Sequence, residues 1–278
     1  MHLTVCNVSC RDSPYILFQD FSQRTLARDP SFRRLICNVT PGGGDAENLR
    51  ALPNTKVIDL DVGSRTGSDA HGYALNSFLE HINTEYAIFA DPDTAVVCRN
   101  WDEVCLSALK PQEMIAAIGT PYGPLAVNRF RHFPNVVFMA FHVDTLRKLK
   151  PNFLPEAMFW RKLKHHLEKF GVLRGRFDGD VGWQIPRLYE KAGIKGLCFE
   201  YKDFRDPTTL LFGPRDFGGV SGEVRGEEYQ WQGTPIVSHQ TRSRMFAYDG
   251  DPISSRWLDR VCAYAGISRT TAAGFARK

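Results

Sequence analysis

The run Tyr86-Ala87-Ile88-Phe89-Ala90-Asp91-Pro92-Asp93-Thr94 carries most of the information in this chain. Its first five residues are apolar or aromatic and predict a strand. The strand runs straight into two carboxylates separated by one proline. In a parallel α/β sheet, ligands bind outside the carboxyl ends of the strands, so Asp91 and Asp93 are expected at a binding edge. Two carboxylates there suit a hard divalent cation, Mn²⁺ or Mg²⁺, that also holds substrate phosphate oxygens. An Asx-type turn that merely closes the strand fits the same residues.

Working outward, short β-rich runs alternate with helical patterns. Residues 3–8, 34–39 and 56–60 are strand candidates. Residues 14–27 and 69–82 are helix candidates, the second with Ala70, Tyr73, Ala74, Ser77, Phe78 and His81 at a period near 3.6. Pro41-Gly42-Gly43-Gly44 reads as a turn. Such alternation implies βαβ units, so the expected fold class is α/β: a central, mostly parallel sheet with helices on both faces. Further on, strands are expected at 114–119 and 136–142, and helices at 103–109, 143–149, 156–170 and 181–192. Pro186 should kink the last of these or sit in its first turn. Residues 199–278 read mostly as loops with short strands. Neither a repeat nor a linker interrupts the chain, and one domain over 1–278 is expected.

Composition excludes several classes. The 278 residues are 43% hydrophobic and 24% charged, near globular averages, which argues against disorder, collagen and coiled coil. The net charge of +4 is short of the one-faced basicity of a dedicated nucleic-acid binder, and suits an anionic small substrate or surface. Seven cysteines without a CxxC pair suggest buried free thiols in a reducing compartment, so a cytoplasmic location is expected. The beginning of the chain does not resemble a signal peptide, and no window approaches the ~20 apolar residues of a transmembrane helix. A soluble protein, or one attached to a membrane surface, is expected.

The block His71-Gly72-Tyr73-Ala74-Leu75-Asn76, followed by Thr84-Glu85-Tyr86 and Asp91-Pro92-Asp93, resembles the nucleotide-binding half of GT-A-type glycosyltransferases, particularly glycosyltransferase family 2. The resemblance implies transfer of a sugar from a nucleotide-diphosphate sugar to a hydroxyl acceptor such as a glycan or lipid-linked sugar, with inversion. Residues 1–98 would form the nucleotide-sugar half and 99–278 the acceptor half. Asp91 and Asp93 would carry the cation that clamps the diphosphate, and His239, after Pro235-Ile236-Val237, would join them as a ligand. Arg242 and Arg244 would neutralise the leaving diphosphate. Ser9 and Arg11 lie where the base-binding loop of the family begins, Asp61 could contact the nucleoside, and His71 and Asn76 would lie near the nucleotide. Phe177-Asp178-Gly179-Asp180 is similar to the acidic segment that supplies the general base; Asp180 takes that position and Asp178 is the reserve. Gly179 stands where the family often has Glu.

Plainer readings accompany these. Asp180 also fits a helix N-cap, His239 a surface histidine in a basic loop, and Ser9, Arg11 and Asp61 ordinary loops. Arg161-Lys162-Leu163-Lys164-His165-His166 fits a solvated helix face or a flap that meets an anionic acceptor or membrane surface. Trp160, Trp183 and Trp231 fit buried packing before sugar stacking. A strand ending in DxDxT is also the signature of haloacid-dehalogenase-type phosphatases, with Asp91 as nucleophile. Here Ala95 occupies the fifth position and Gln184 replaces the final acid of that family's later motif. A non-catalytic nucleotide- or glycan-binding domain is the third reading.

Overall fold

Strands β1 (Leu3–Ser9), β2 (Arg33–Asn38), β3 (Thr55–Asp59) and β4 (Tyr86–Ala90) alternate with helices α1 (Ser13–Leu26), α2 (Asp45–Arg50) and α3 (Gly67–His81). They belong to a computed structural model that describes residues 2–11, 13–40, 45–121, 133–157, 160, 163, 167, 179–203, 206–212, 225–241 and 255–270. Next come a short strand β5 (Thr94–Val96), helix α4 (Trp101–Ala108), strands β6 (Ile115–Pro121) and β7 (Pro134–His142), helix α5 (Val143–Lys148), helix α6 (Ile185–Lys191) and strand β8 (Lys195–Cys198). The chain continues through β9 (Glu200–Asp203), β10 (Arg225–Trp231) and β11 (Thr234–Thr241) to helix α7 (Ser255–Ala265).

These strands form a seven-stranded sheet of order β3-β2-β1-β4-β7-β6-β8 and a four-stranded sheet of order β5-β11-β10-β9. In the large sheet β1 pairs in parallel with β2 and β4, β2 with β3, and β6 with β8, whereas β7 runs antiparallel to both β4 and β6. This is the mixed, mostly parallel α/β sheet that the alternating pattern predicts. The chain leaves β1 toward β2 on one side and reaches β4 on the other. The strand order therefore reverses at β1/β4, opening a crevice at their carboxyl ends.

Every residue of β1 is buried, and β4 is buried from Ala87 to Ala90, because both faces of the sheet are covered. Leu3, Val5, Ile88 and Ala90 join a core with Tyr15, Phe18, Trp101, Val237 and Trp257. Cys6, Val8, Ala87 and Phe89 point the other way, into a core with Ala74, Phe78, Leu146 and Tyr189. Each large apolar side chain among them contributes about 1.5–3 kcal/mol by leaving water.

Inside this apolar frame Arg34 on β2 is fully buried. Its Nε donates to Asp20 Oδ1 at 2.7 Å, and its Nη atoms donate to Asn7 and Gln23. A buried guanidinium is tolerated only when its charge and its donors are met, and here α1 supplies the carboxylate.

The structure departs from expectation in three places. Among the described residues of 199–278 the expected short strands are β9 to β11, and the eleven-residue helix α7 was not expected. The helix expected over 181–192 begins only at Ile185, after a turn in which Gly182 has φ +75, and Pro186 sits in its first turn. Trp160 is 53% exposed, so it is not core. Of the helix expected over 156–170, only Trp160, Leu163 and Leu167 are described as helical; residues 158–159, 161–162, 164–166 and 168–170 lie outside the described residues. All seven cysteines are free, as their spacing suggests. Among the described residues no helix is long and apolar enough to cross a membrane.

Replacing Asp20 by Ala should cost about 3 kcal/mol or more, because it leaves Arg34 charged, buried and without its carboxylate. Urea unfolding of the variant measures this; a loss below about 1 kcal/mol would contradict the assigned role.

Candidate functional site

Asp91 leaves β4 at the carboxyl edge of the sheet, and its backbone is held from several sides. Its N–H donates to Val137 O at 2.8 Å. Its carbonyl accepts from Gln19 Nε2 at 2.7 Å and from Thr94 Oγ1 at 2.8 Å. Gln19 on α1 is fully buried; it also donates to Thr94 Oγ1 at 2.7 Å and accepts from Asn7 Nδ2 at 2.7 Å. The turn carrying both carboxylates is thus tied to the same polar cluster that surrounds Arg34.

The chain then enters β5, which pairs antiparallel with β11 so that Thr94 faces His239, while Gln240 N–H donates to Asp93 O at 2.9 Å. This pairing sets His239 Nε2 3.4 Å from Asp93 Oδ1. On the far side Glu227 of β10 lies opposite His239, with Oε2 2.8 Å from its Nδ1. Tyr229 OH donates to Glu227 Oε2 at 2.7 Å, and Tyr201 OH on β9 donates to Oε1 at 3.4 Å. A second contact forms at Asp91, whose Oδ1 is 3.5 Å from Nε2 of His71 on α3. Helix α3 sits close: a Cβ on Gly72 would come within 2.6 Å of Phe153 O, so only glycine permits this approach. Asn76 secures the contact, accepting from Phe153 N–H at 3.0 Å and donating to Asn152 Oδ1 at 3.1 Å.

Burial of His239 disfavours its charged form, but the Asp93 carboxylate and the hydrogen bonds to both acids outweigh this and raise its pKa well above the ordinary value. Burial likewise pushes Glu227 up; the His239 contact and the two tyrosine hydroxyls overcome it and lower the pKa. In the metal-free cluster Asp93 and Glu227 thus both favour the protonated, charged form of the imidazole. A divalent cation would take the place of that proton, since imidazole must be neutral to ligate.

The donor set fits such an ion. Two donors at right angles, each about 2.1 Å from one ion, stand roughly 3 Å apart, close to the Asp93–His239 separation. Among the described residues no group of three or more His, Cys, Asp or Glu is arranged to hold a metal ion. Mg²⁺ and Mn²⁺ need only one or two carboxylates when phosphates and water complete the shell.

Ser9 and Arg11 lie at the end of β1 and Asp61 just beyond β3, on the same sheet edge as Asp91. Ser9 is buried, Arg11 has φ 62, and Asp61 Oδ1 accepts from Gly63 N–H at 2.8 Å. Asp180 precedes the turn into α6 and accepts from Val181 N–H at 2.9 Å; the N-cap of α6 is Gln184, so Asp180 is not the cap. The space beside Gly179 is taken by Glu156, whose Oε2 lies 2.8 Å from where a Cβ would be. Asp178, Arg242 and Arg244 fall outside the described residues. Sequence reasoning missed Glu227, Tyr229, Tyr201 and Gln19. Gln232-Gly233 was the available signal for a hairpin joining β10 to β11, with φ 52 and 79 at its two central residues.

No protein-family model matches the chain, and no curated protein matches it. Solved structures similar to it include the mannosyltransferase PcManGT from Pyrobaculum calidifontis in complex with GDP-Man and Mn²⁺, at 16% identity and TM-score 0.46, covering 71% of this chain and 54% of that one. TarS from S. aureus in complex with UDP-GlcNAc matches at 14% identity and TM-score 0.41, covering 55% and 48%. Glucosyl-3-phosphoglycerate synthase from Mycobacterium tuberculosis, in complex with Mn²⁺, UDP and glucosyl-3-phosphoglycerate, matches at 12% identity and TM-score 0.46, covering 96% and 81%. The present chain thus spans about half the length of the first two.

A histidine whose pKa is raised on folding stabilises the native state fully below its unfolded value of about 6.5, and the contribution is lost as pH rises through the folded value. Metal-free protein should therefore lose thermal stability as pH is raised above about 6.5, and His239→Gln should flatten that slope. Melting temperatures in EDTA across pH provide the check; equal slopes in both proteins would contradict it.

Proposed function

We propose that this chain is a GT-A-type glycosyltransferase that uses a divalent cation, Mn²⁺ or Mg²⁺, to move a sugar from a nucleotide-diphosphate sugar to a hydroxyl acceptor, with inversion. The observation that carries this reading is the contact between Asp93 and His239, which joins the acid pair of the large sheet to a neutralisable ligand from the second sheet. An acid pair that only closed a strand would have no need of a partly buried histidine set against it from another sheet.

In this reading the pair Asp93 and His239 holds the cation, and Asp91, which faces His71 in the metal-free protein, joins them once ion and diphosphate are bound. Ser9, Arg11, Asp61 and His71 line the nucleotide side of the crevice and Asn76 braces α3 behind it. A cation held there would supply positive charge to offset the negative charge of the departing diphosphate. Arg242 and Arg244 pair with the same phosphate oxygens. The Asp180 carboxylate, with Asp178 in reserve, takes the proton from the acceptor hydroxyl as that oxygen attacks the anomeric carbon. Residues 1–98 form the donor half and 99–278 the acceptor half of one domain. The acceptor is a hydroxyl compound, such as a glycan or lipid-linked sugar, met in the cytoplasm or at its membrane surface.

Thermal-shift measurements with UDP, GDP, CDP, dTDP and their sugars, with and without Mn²⁺, test the donor site, because a ligand that binds the native state raises its apparent stability. One nucleotide is expected to stabilise the protein only with metal present, and Asp91→Ala or Asp93→Ala should abolish that shift while the variants stay folded. No shift with any nucleotide, together with phosphate release from phosphomonoesters, would replace this reading with the phosphatase. Asp180→Asn should leave the nucleotide shift intact and stop transfer. Loss of the shift instead would make Asp180 structural.

A further inference from the structure

We infer that Glu227 is a positioning residue that grips His239 by Nδ1 and turns Nε2 toward Asp93, a role that rests on the reading of His239 as a cation ligand. The two nitrogens of the ring are in different situations. Nδ1 is 2.8 Å from Glu227 Oε2, a full hydrogen bond, whereas Nε2 is 3.4 Å from Asp93 Oδ1, longer than a good one. The ring is held from the Glu227 side and presented on the Asp93 side. Ligating histidines are commonly oriented in this way, by a carboxylate on the nitrogen that does not face the ion.

Glu227 is itself fixed. Tyr229 OH donates to Oε2 and Tyr201 OH to Oε1, so both oxygens have partners besides the imidazole. The arrangement is built across three strands: Glu227 faces His239 on β11, and Tyr229 faces Tyr201 on β9. It also depends on an irregularity. From Trp231↔Thr234 and Gln230↔Pro235 the pairing slips by one residue to Tyr229↔Val237 and Glu227↔His239. Without that slip Gly226 would stand opposite His239 and Glu227 would lie on the other face of the sheet. A bulge that re-aims one acid onto one histidine is the local device that makes the pair.

Mn²⁺ titrations of the full chain, with free ion read by electron paramagnetic resonance, test this without reference to turnover. Glu227→Ala should weaken Mn²⁺ binding by about 10–100-fold. Glu227→Gln, whose amide oxygen still accepts from Nδ1–H, should stay nearer to the unaltered protein. Equal loss in both variants would assign the effect to charge and overturn the positioning role. Undiminished affinity in Glu227→Ala, alongside a weakened His239→Ala, would overturn it as well. If His239→Ala binds Mn²⁺ normally, or the unaltered protein binds none, the ligand reading falls and this inference with it. Should Glu227→Ala fail to fold, the double variant Y201F/Y229F replaces it. Freeing the carboxylate from both hydroxyls should weaken Mn²⁺ severalfold, and unchanged affinity would again overturn the inference.

Discussion

A buried guanidinium organises the first half of this molecule. Arg34 lies on β2 under α1 with no exposure, and the cost of removing that charge from water is offset only by placing Asp20, Asn7 and Gln23 around it. Those partners fix helix α1 over β1 and β2 in one rotational setting. The same setting points Gln19 at the carbonyl of Asp91 and at Thr94. The acid turn therefore inherits its geometry from a polar cluster in the interior. Catalytic and binding groups need a rigid support of this kind if they are to hold a charge in register.

The second constraint is the β5–β11 pairing. Only three residues long, β5 is an edge to which the late strands attach, and through it the second sheet is set against the acid pair of the first. Asp91 and Asp93 consequently face different neighbours. Asp91 has His71 from α3, an element of the same βαβ unit, and Asp93 has His239 from the last strand of the second sheet in chain order. One carboxylate is served locally and the other by long-range pairing, although a single proline separates them.

The legible part of the fold was the part with a clean period. Residues of β1 and β4 are buried throughout or nearly so because both faces are covered, and α3 repeats near 3.6, so strand and helix alternate visibly up to Asp93. Within the strands of the second sheet only Pro235-Ile236-Val237 of β11 forms an apolar run, so the sheet as a whole was not legible. In β10 the run Arg225-Gly226-Glu227-Glu228-Tyr229-Gln230-Trp231 is polar at positions that are nonetheless buried. Glu228 is buried because it accepts from Leu210 N–H at 2.9 Å and Leu211 N–H at 2.8 Å. Glu227 is sheltered because it meets His239. Hydrogen-bonded acids of this sort are invisible to a hydropathy pattern, since their partners are distant in the chain. Similarly, Asp180 near a helix reads as a cap, but a left-handed glycine at Gly182 delays the helix and moves the cap to Gln184.

By itself the sequence determined the α/β class, the strand that ends in Asp91 and Asp93, the sheet edge on which those acids emerge, and the free state of the cysteines. Each follows from local chemistry: apolar periodicity, a proline between two acids, the spacing of thiols. Only the tertiary structure decided which histidine faces which acid, that a second sheet exists, and that Glu227 lies on the same face as His239. Those outcomes depend on strand register, which a one-residue bulge shifts, and a shift of one residue moves every following side chain to the opposite face of the strand.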